Sequence, residues 1–409
     1  MDNHLFALLK KFDQLHLAKQ LEMNPACHTE VLECFLELDG FTPLSFEKKH
    51  TRANLLSFNN PSNYQNQSSH IVPLHLKQKK IASVILAGGD GSRLGSSLPK
   101  GCFPFSLDQN RTLFEIHCSK LVSLKNKLQT SIPLIILTSK NNHLFTQKFF
   151  LENNFFGLEP SSVEFLVQPH LPFFKNQQAF FKNAQHFASG PNGNGVIFKL
   201  LKDVIENHPT IETFQVINID NPLAYPIDLE LLETHLINEN QLTLRCIPLS
   251  KTHQNIGRLY KTPGNKILIV DYTDDAQNPG ANFGSINIFA FSKNFILSIC
   301  KENYLPLHWV QKNTKTLDCS NLKDQQTYLK GELFITDASA FSEKTSCLLT
   351  DPEKYFAPLK SLEGPGNLYQ AQQAYKKKQE SLCPTGCCFD PNLYYSSVDL
   401  QKIDASHVV

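Results

Sequence analysis

The stretch that decides the fold is Ile81–Gly101, I-A-S-V-I-L-A-G-G-D-G-S-R-L-G-S-S-L-P-K-G. Ile81 to Ala87 is a short apolar run, rich in β-branched residues and closed by glycine, which is the pattern of a buried parallel strand. Gly88, Gly89 and Gly91 follow at its carboxyl end, where open α/β sheets bind ligands. Glycines there let a turn bring several backbone N–H groups close to a phosphate. Arg93 and Lys100 add two positive charges close by. The combination predicts a polyphosphate loop seated on Leu86 and Ala87. A dinucleotide fingerprint fits poorly, because the spacing is G-x-G-x-x-x-G and the next expected strand, Pro133 to Thr138, ends without a carboxylate. A Walker A loop needs G-K-[S/T], and here the lysine lies in Pro99-Lys100-Gly101. A plain tight turn leaves Arg93, Pro99, Lys100 and Gly101 unexplained.

Composition sets the outer bounds. The chain has 409 residues, 41% hydrophobic and 19% charged, the profile of a globular protein of about two or three domains. A net charge of +1 argues against nucleic-acid binding, so any anion must be held by local placement. The N-terminal residues carry charges and no apolar run suited to a signal peptide, and no stretch has the length of a membrane span. A cytoplasmic protein is expected, with its eleven cysteines as free thiols. Cys383, Cys387 and Cys388 lie close together but lack a second pair at zinc spacing.

Along the chain, residues 1–78 read as a helical segment and linker. Leu5, Leu8, Leu9, Phe12, Leu15 and His16 fall at helical spacing, Val31 to Leu38 gives a second stripe, and Phe58 to His70 is polar and turn-rich. Residues 79–345 alternate strands and helices, the signature of a mostly parallel α/β sheet. Leu113, Ile116, Leu121, Leu124 and Leu128 mark a helix; Val163 to Val167, Thr213 to Ile219, Leu242 to Leu249, Lys266 to Asp271 and Ile286 to Phe291 mark strands. Residues 346–409 read as a small C-terminal region, with Lys376 to Lys378 on a solvated helix face.

Three further stretches have residue types suited to nucleotide chemistry. Gly190 to Gly195 precedes a helix, so its N–H groups converge at a helix N-terminus, or its asparagines merely cap that helix. Asp220 ends a strand beside the phosphate loop, where it either holds Mg²⁺ or caps the Asn221-Pro222 turn. Gln168 offers a donor and an acceptor that match a pyrimidine imide, or it is a polar strand end.

L-A-G-G-x-G-S-R-L-G followed by P-K-G resembles the signature of the type I UDP-sugar pyrophosphorylases, within them the UDP-N-acetylglucosamine branch. The resemblance covers roughly residues 80 to 360 and implies a GT-A-like, Rossmann-type nucleotidyltransferase core with a mixed, mostly parallel sheet. It implies that UTP and a sugar 1-phosphate give a UDP-sugar and pyrophosphate, with Mg²⁺ on Asp220. Under it, Gly193 and Gln168 meet the uracil, Asn194 the sugar, and Arg93 and Lys100 the phosphates. Lys360, in F-A-P-L-K, reaches the sugar phosphate. Lys312, in L-H-W-V-Q-K, serves the phosphates, although the family lysine also aligns with Asn313. Asp271 and Asn287 lie near the sugar. Gly284, Ile286 and Pro352 depart from the family pattern. Asn194, where glucose-specific relatives usually carry His, tilts the reading to an N-acetylated sugar. A glucose 1-phosphate uridylyltransferase and a non-catalytic nucleotide-sugar binder are the alternatives.

Overall fold

The computed structural model describes residues 2–41, 55–64, 70–89, 91–106, 110–183, 185–250, 255–272, 280–302, 305–313, 327–383 and 390–395. The chain packs as two units whose boundaries differ from the linear division 1–78, 79–345 and 346–409. One comprises residues 1–51, 167–197 and 302–335, the other 52–166, 198–301 and 336–409.

The larger unit is built on a mixed sheet of ten described strands. Its centre is parallel: Ile81–Leu86 lies between Thr213–Asn218 and Leu134–Ser139. Every residue of Ile81–Leu86 and Leu134–Ser139 is buried, as expected of strands covered on both faces. Beyond Thr213–Asn218 the pairing turns antiparallel, through Phe283–Ser292 to Arg258–Lys261 and Leu242–Pro248. The helix Leu113–Leu128 starts where the Thr112 hydroxyl caps the Glu115 N–H, and it ends at Gln129 in the left-handed region. Its expected stripe is buried, but so are His117 and Lys120. The C-terminal residues belong to this unit. Thr345–Leu349 pairs in parallel with Leu242–Pro248, and Tyr375, Tyr394 and Tyr395 join the main core.

The smaller unit joins the N-terminal helices Asn3–Lys11, Leu17–Met23 and His28–Asp39 to a five-stranded sheet containing His170–Lys175, His308–Asn313 and Thr327–Glu332. Leu5, Leu9, Leu21, Val31 and Phe35 share a core with Leu171, Phe174, Phe187 and Trp309. The first helix is shorter than its apolar spacing suggests. Asp13 adopts φ +55°, which stops the helix after Lys11 and leaves Leu15 exposed. Among the described residues no helix is long and apolar enough to cross a membrane. The eight described cysteines are free thiols; Cys387 and Cys388 lie outside the described residues.

Candidate active site

Strand register brings together the parts that the sequence keeps far apart. Leu86 pairs with Asn218, and the Ile219 N–H donates to the Leu86 carbonyl at 3.1 Å. Asp220 therefore emerges at the same carboxyl edge as the glycine loop. Leu86 and Ala87 are buried at the base of that loop, and Gly89 is exposed. Gly91 sits at φ +66°, and a Cβ there would lie 2.7 Å from the Leu98 carbonyl oxygen, so only glycine fits. Asp90 lies outside the described residues. The Lys100 N–H donates to Gly89 O at 3.3 Å, folding the lysine back over the loop. Arg93 is exposed and has no hydrogen-bond partner among the described residues.

The Asp220 carboxylate is shared by two ammonium groups. Lys100 Nζ donates to Oδ2 at 3.1 Å and Lys360 Nζ to the same oxygen at 2.8 Å. Burial by itself would raise the carboxyl pKa; Lys100 and Lys360 outweigh it and hold Asp220 below the ordinary carboxylate range. Oδ1 receives no hydrogen bond from the described residues. The chain segment that carries Lys360 is tied to the same turn. Leu359 N–H donates to Asp220 O at 2.7 Å, Ala357 N–H donates to Asn221 Oδ1, and Asn221 Nδ2 donates to Tyr355 O.

The two expected sugar residues of this unit have different settings. Asn287 lies in a bulge of Phe283–Ser292, where the register against Leu242–Pro248 shifts, and it adopts φ +56°. Such a bulge re-aims a side chain out of the regular pleat. The expected strand Ile286 to Phe291 is thus longer and interrupted at the residue of interest. Asp271 is half-buried just past the strand Ile267–Val270. Gly284 has Ile256 against its open face, 2.4 Å from where a Cβ would stand.

Gln168, Gly193, Asn194 and Lys312 belong to the smaller unit. Gln168 Nε2 donates to Gly193 O at 2.9 Å, which joins the two expected uracil contacts to each other. One of the two N–H donors of Gln168 is thereby used internally, and its second N–H and its carboxamide oxygen remain. Gly193 has φ +93°, and a Cβ would lie 2.3 Å from Leu333 O. Asn194 Oδ1 accepts from Ile335 N–H at 3.0 Å, and its NH₂ group makes no hydrogen bond to the described residues. Lys312 is half-buried on the strand His308–Asn313, opposite Tyr328.

Residues 35–383 match the protein family described as UTP–glucose-1-phosphate uridylyltransferase. The chain belongs to this family. Among relatives of this uridylyltransferase-family chain, the UDP-N-acetylglucosamine pyrophosphorylase of Saccharomyces cerevisiae is 26% identical over 315 residues, covering 70% of this chain and 65% of the relative. UDP-N-acetylglucosamine diphosphorylase 2 of Arabidopsis thaliana is 25% identical, covering 70% of this chain and 62% of the relative. The matches thus span somewhat less than two thirds of those relatives' own lengths. The fold is that of the uridine diphosphate N-acetylglucosamine pyrophosphorylase from Trypanosoma brucei, with a TM-score of 0.71 at 20% identity over 91% of this chain and 84% of the other.

One loop-shaping residue of this family member carried no signal in its sequence. Asn142 is buried; its Nδ2 donates to Ala87 O at 3.0 Å and Gly89 O at 3.4 Å, while Oδ1 accepts from Ser139 N–H. It braces the glycine loop from the neighbouring strand end. An isolated Asn in Ser139-Lys140-Asn141-Asn142 reads as any turn residue.

Proposed function

We propose that this protein is a UTP:sugar-1-phosphate uridylyltransferase that converts UTP and N-acetylglucosamine 1-phosphate into UDP-N-acetylglucosamine and pyrophosphate. The single observation that carries this reading is the carboxylate of Asp220, held by Lys100 and Lys360 at the strand edge that bears the Gly88–Gly91 loop. An oxygen of the sugar phosphate attacks the α-phosphorus of UTP in line, and pyrophosphate leaves. The nucleophile is already an anion, so no general base is needed; positioning and charge neutralisation supply the rate. Loop N–H groups, Arg93 and Lys100 receive the triphosphate, and Lys360 receives the sugar phosphate. Lys312 serves the phosphates as well. Gln168 and Gly193 meet the uracil, and Asn194, Asp271 and Asn287 the sugar.

The donor set suits a divalent cation, and we assign it as Mg²⁺. The described residues contain no group of three or more His, Cys, Asp or Glu side chains able to hold a metal. A single carboxylate with one oxygen left open still fits Mg²⁺, which takes one or two carboxylates, waters and substrate phosphates. When bound, the cation would neutralise phosphate oxygens of the substrate. Asp220 is kept ionised for this by Lys100 and Lys360.

The names of the two relatives and the free NH₂ of Asn194 support the N-acetylated sugar. A coupled pyrophosphate-release assay across sugar 1-phosphates tests the reading. N-acetylglucosamine 1-phosphate should give the highest kcat/KM. Preference for glucose 1-phosphate would overturn the sugar assignment, and no release from any sugar phosphate would overturn the activity.

A further inference from the structure

The turn that carries Asp220 is gripped from behind by two buried side chains for which the reaction has no use. His117 and Lys120 stand one helical turn apart on Leu113–Leu128, and both are buried, at 0% and 1% exposure. His117 Nε2 donates to the carbonyl of Ile219, the residue before Asp220, at 3.2 Å. Lys120 Nζ donates to Pro222 O at 2.6 Å and to Ala224 O at 2.7 Å. Its Nζ also lies 5.1 Å from the ring centroid of Tyr225 and 5.3 Å from that of Tyr394. Three carbonyls on both sides of Asp220-Asn221 are thus held by one face of one helix.

A buried lysine amino group is costly to desolvate, and an apolar side chain of the same length would satisfy the core at less cost. Lys120 makes no ion pair among the described residues. What it does make is a pair of directed hydrogen bonds to the turn, which no apolar residue could supply. On the other side of the same turn, Asp220 Oδ2 meets Lys100 and Lys360. The backbone is therefore held from within the core while its carboxylate faces the phosphate loop.

We propose that Lys120 and His117 are positioning residues, which fix the Ile219–Ala224 turn so that the Asp220 carboxylate is presented to the metal–triphosphate. The inference rests on the assignment of Asp220 as the metal carboxylate. Supporting groups behind a metal ligand typically contribute about 10–100-fold in affinity or activity.

The test is direct Mn²⁺ binding to the full chain in the presence of UTP, followed by electron paramagnetic resonance, for wild type, Lys120→Met, His117→Leu and His117→Gln. Lys120→Met and His117→Leu should each weaken Mn²⁺ binding by about tenfold or more. His117→Gln, whose amide can still donate to Ile219 O, should recover most of the loss. Metal-free UTP binding should stay within about twofold, because the glycine loop is untouched. A lowered melting temperature with unchanged Mn²⁺ affinity would reduce both residues to core packing and overturn the inference. Should Lys120→Met fail to fold, the His117 pair decides on the same criterion. Wild-type protein that binds no Mn²⁺ would overturn the Asp220 metal assignment and this role with it. Wild-type binding retained by all the variants would overturn this role alone.

Discussion

Replacing Asp220 by Asn removes the anion that two ammonium groups share, while leaving the shape of the side chain almost unchanged. Lys100 is 15% exposed and Asp220 11%, so their contact is a buried charge-assisted hydrogen bond of about 1.5–3 kcal/mol. Lys360 is 44% exposed, so water screens its contribution to about 1 kcal/mol or less. Without the anion the two ammonium groups, at 3.1 and 2.8 Å from one oxygen, repel each other across no more than about 6 Å. Lys360 can swing into solvent to relieve this. A net loss of about 2–3 kcal/mol follows, read as a fall of roughly 3 °C in melting temperature. The loss has a signed pH dependence. Asp220 is depressed in the folded state, so the wild-type advantage should be complete above the unfolded value of about 3.9 and vanish as pH falls further through the folded value. Scanning calorimetry from pH 3 to 8 measures the stability, and a metal titration of turnover measures the function. Turnover should lose most of its metal response. An Asn variant as stable and as metal-responsive as wild type would refute the shared-carboxylate account.

Other perturbations separate structure from chemistry at single atoms. Asn194→Asp keeps the acceptor for Ile335 N–H but loses the NH₂, so it should melt like wild type yet lower the preference for N-acetylglucosamine 1-phosphate over glucose 1-phosphate by about tenfold. Asn194→Ala should lose that preference and about 1 kcal/mol of stability as well; an unchanged kcat/KM ratio in the Asp variant would refute the role. Burial lowers the pKa of His117 to about 3 and of His235 to about 4, so the unfolded chain takes up protons first as pH falls. Stability should be complete above about pH 6.5 and decline toward pH 4 by up to about 1.4 kcal/mol per pH unit for each histidine, a slope that His235→Gln should reduce in a melting series. Thiol titration of the denatured, unreduced protein should count all eleven cysteines, and a count lower by two or more would contradict the free-thiol assignment.

Local pattern carried the parts of this protein that local physics decides. An apolar β-branched run closed by glycines made Ile81–Leu86 legible as a buried strand, because burial on both faces demands an uninterrupted apolar sequence. The apolar spacing of Leu113, Ile116, Leu121, Leu124 and Leu128 marked the helix Leu113–Leu128 for the same kind of reason. Gly91 was legible as loop glycine, since its left-handed conformation excludes other side chains. The partner of each polar atom was beyond that reach. Lys100 and Lys360 meet one oxygen of Asp220 across separations of 120 and 140 residues; the parallel register of Thr213–Asn218 on Ile81–Leu86 brings Lys100 there, and the hydrogen bonds of Leu359, Ala357 and Tyr355 to the Asp220-Asn221 turn bring Lys360. Gln168 was legible as a polar strand end and Asn194 as a polar residue of a glycine loop, yet which atom of each amide is already engaged depends on Gly193 O and Ile335 N–H. Lys120 could be read only as a charge on a helix. Its burial under Tyr225 and Tyr394, and its grip on Pro222 and Ala224, arise when distant segments close over it. Propensity and periodicity act over a few residues, whereas a hydrogen-bond partner is chosen by the packing of the whole chain.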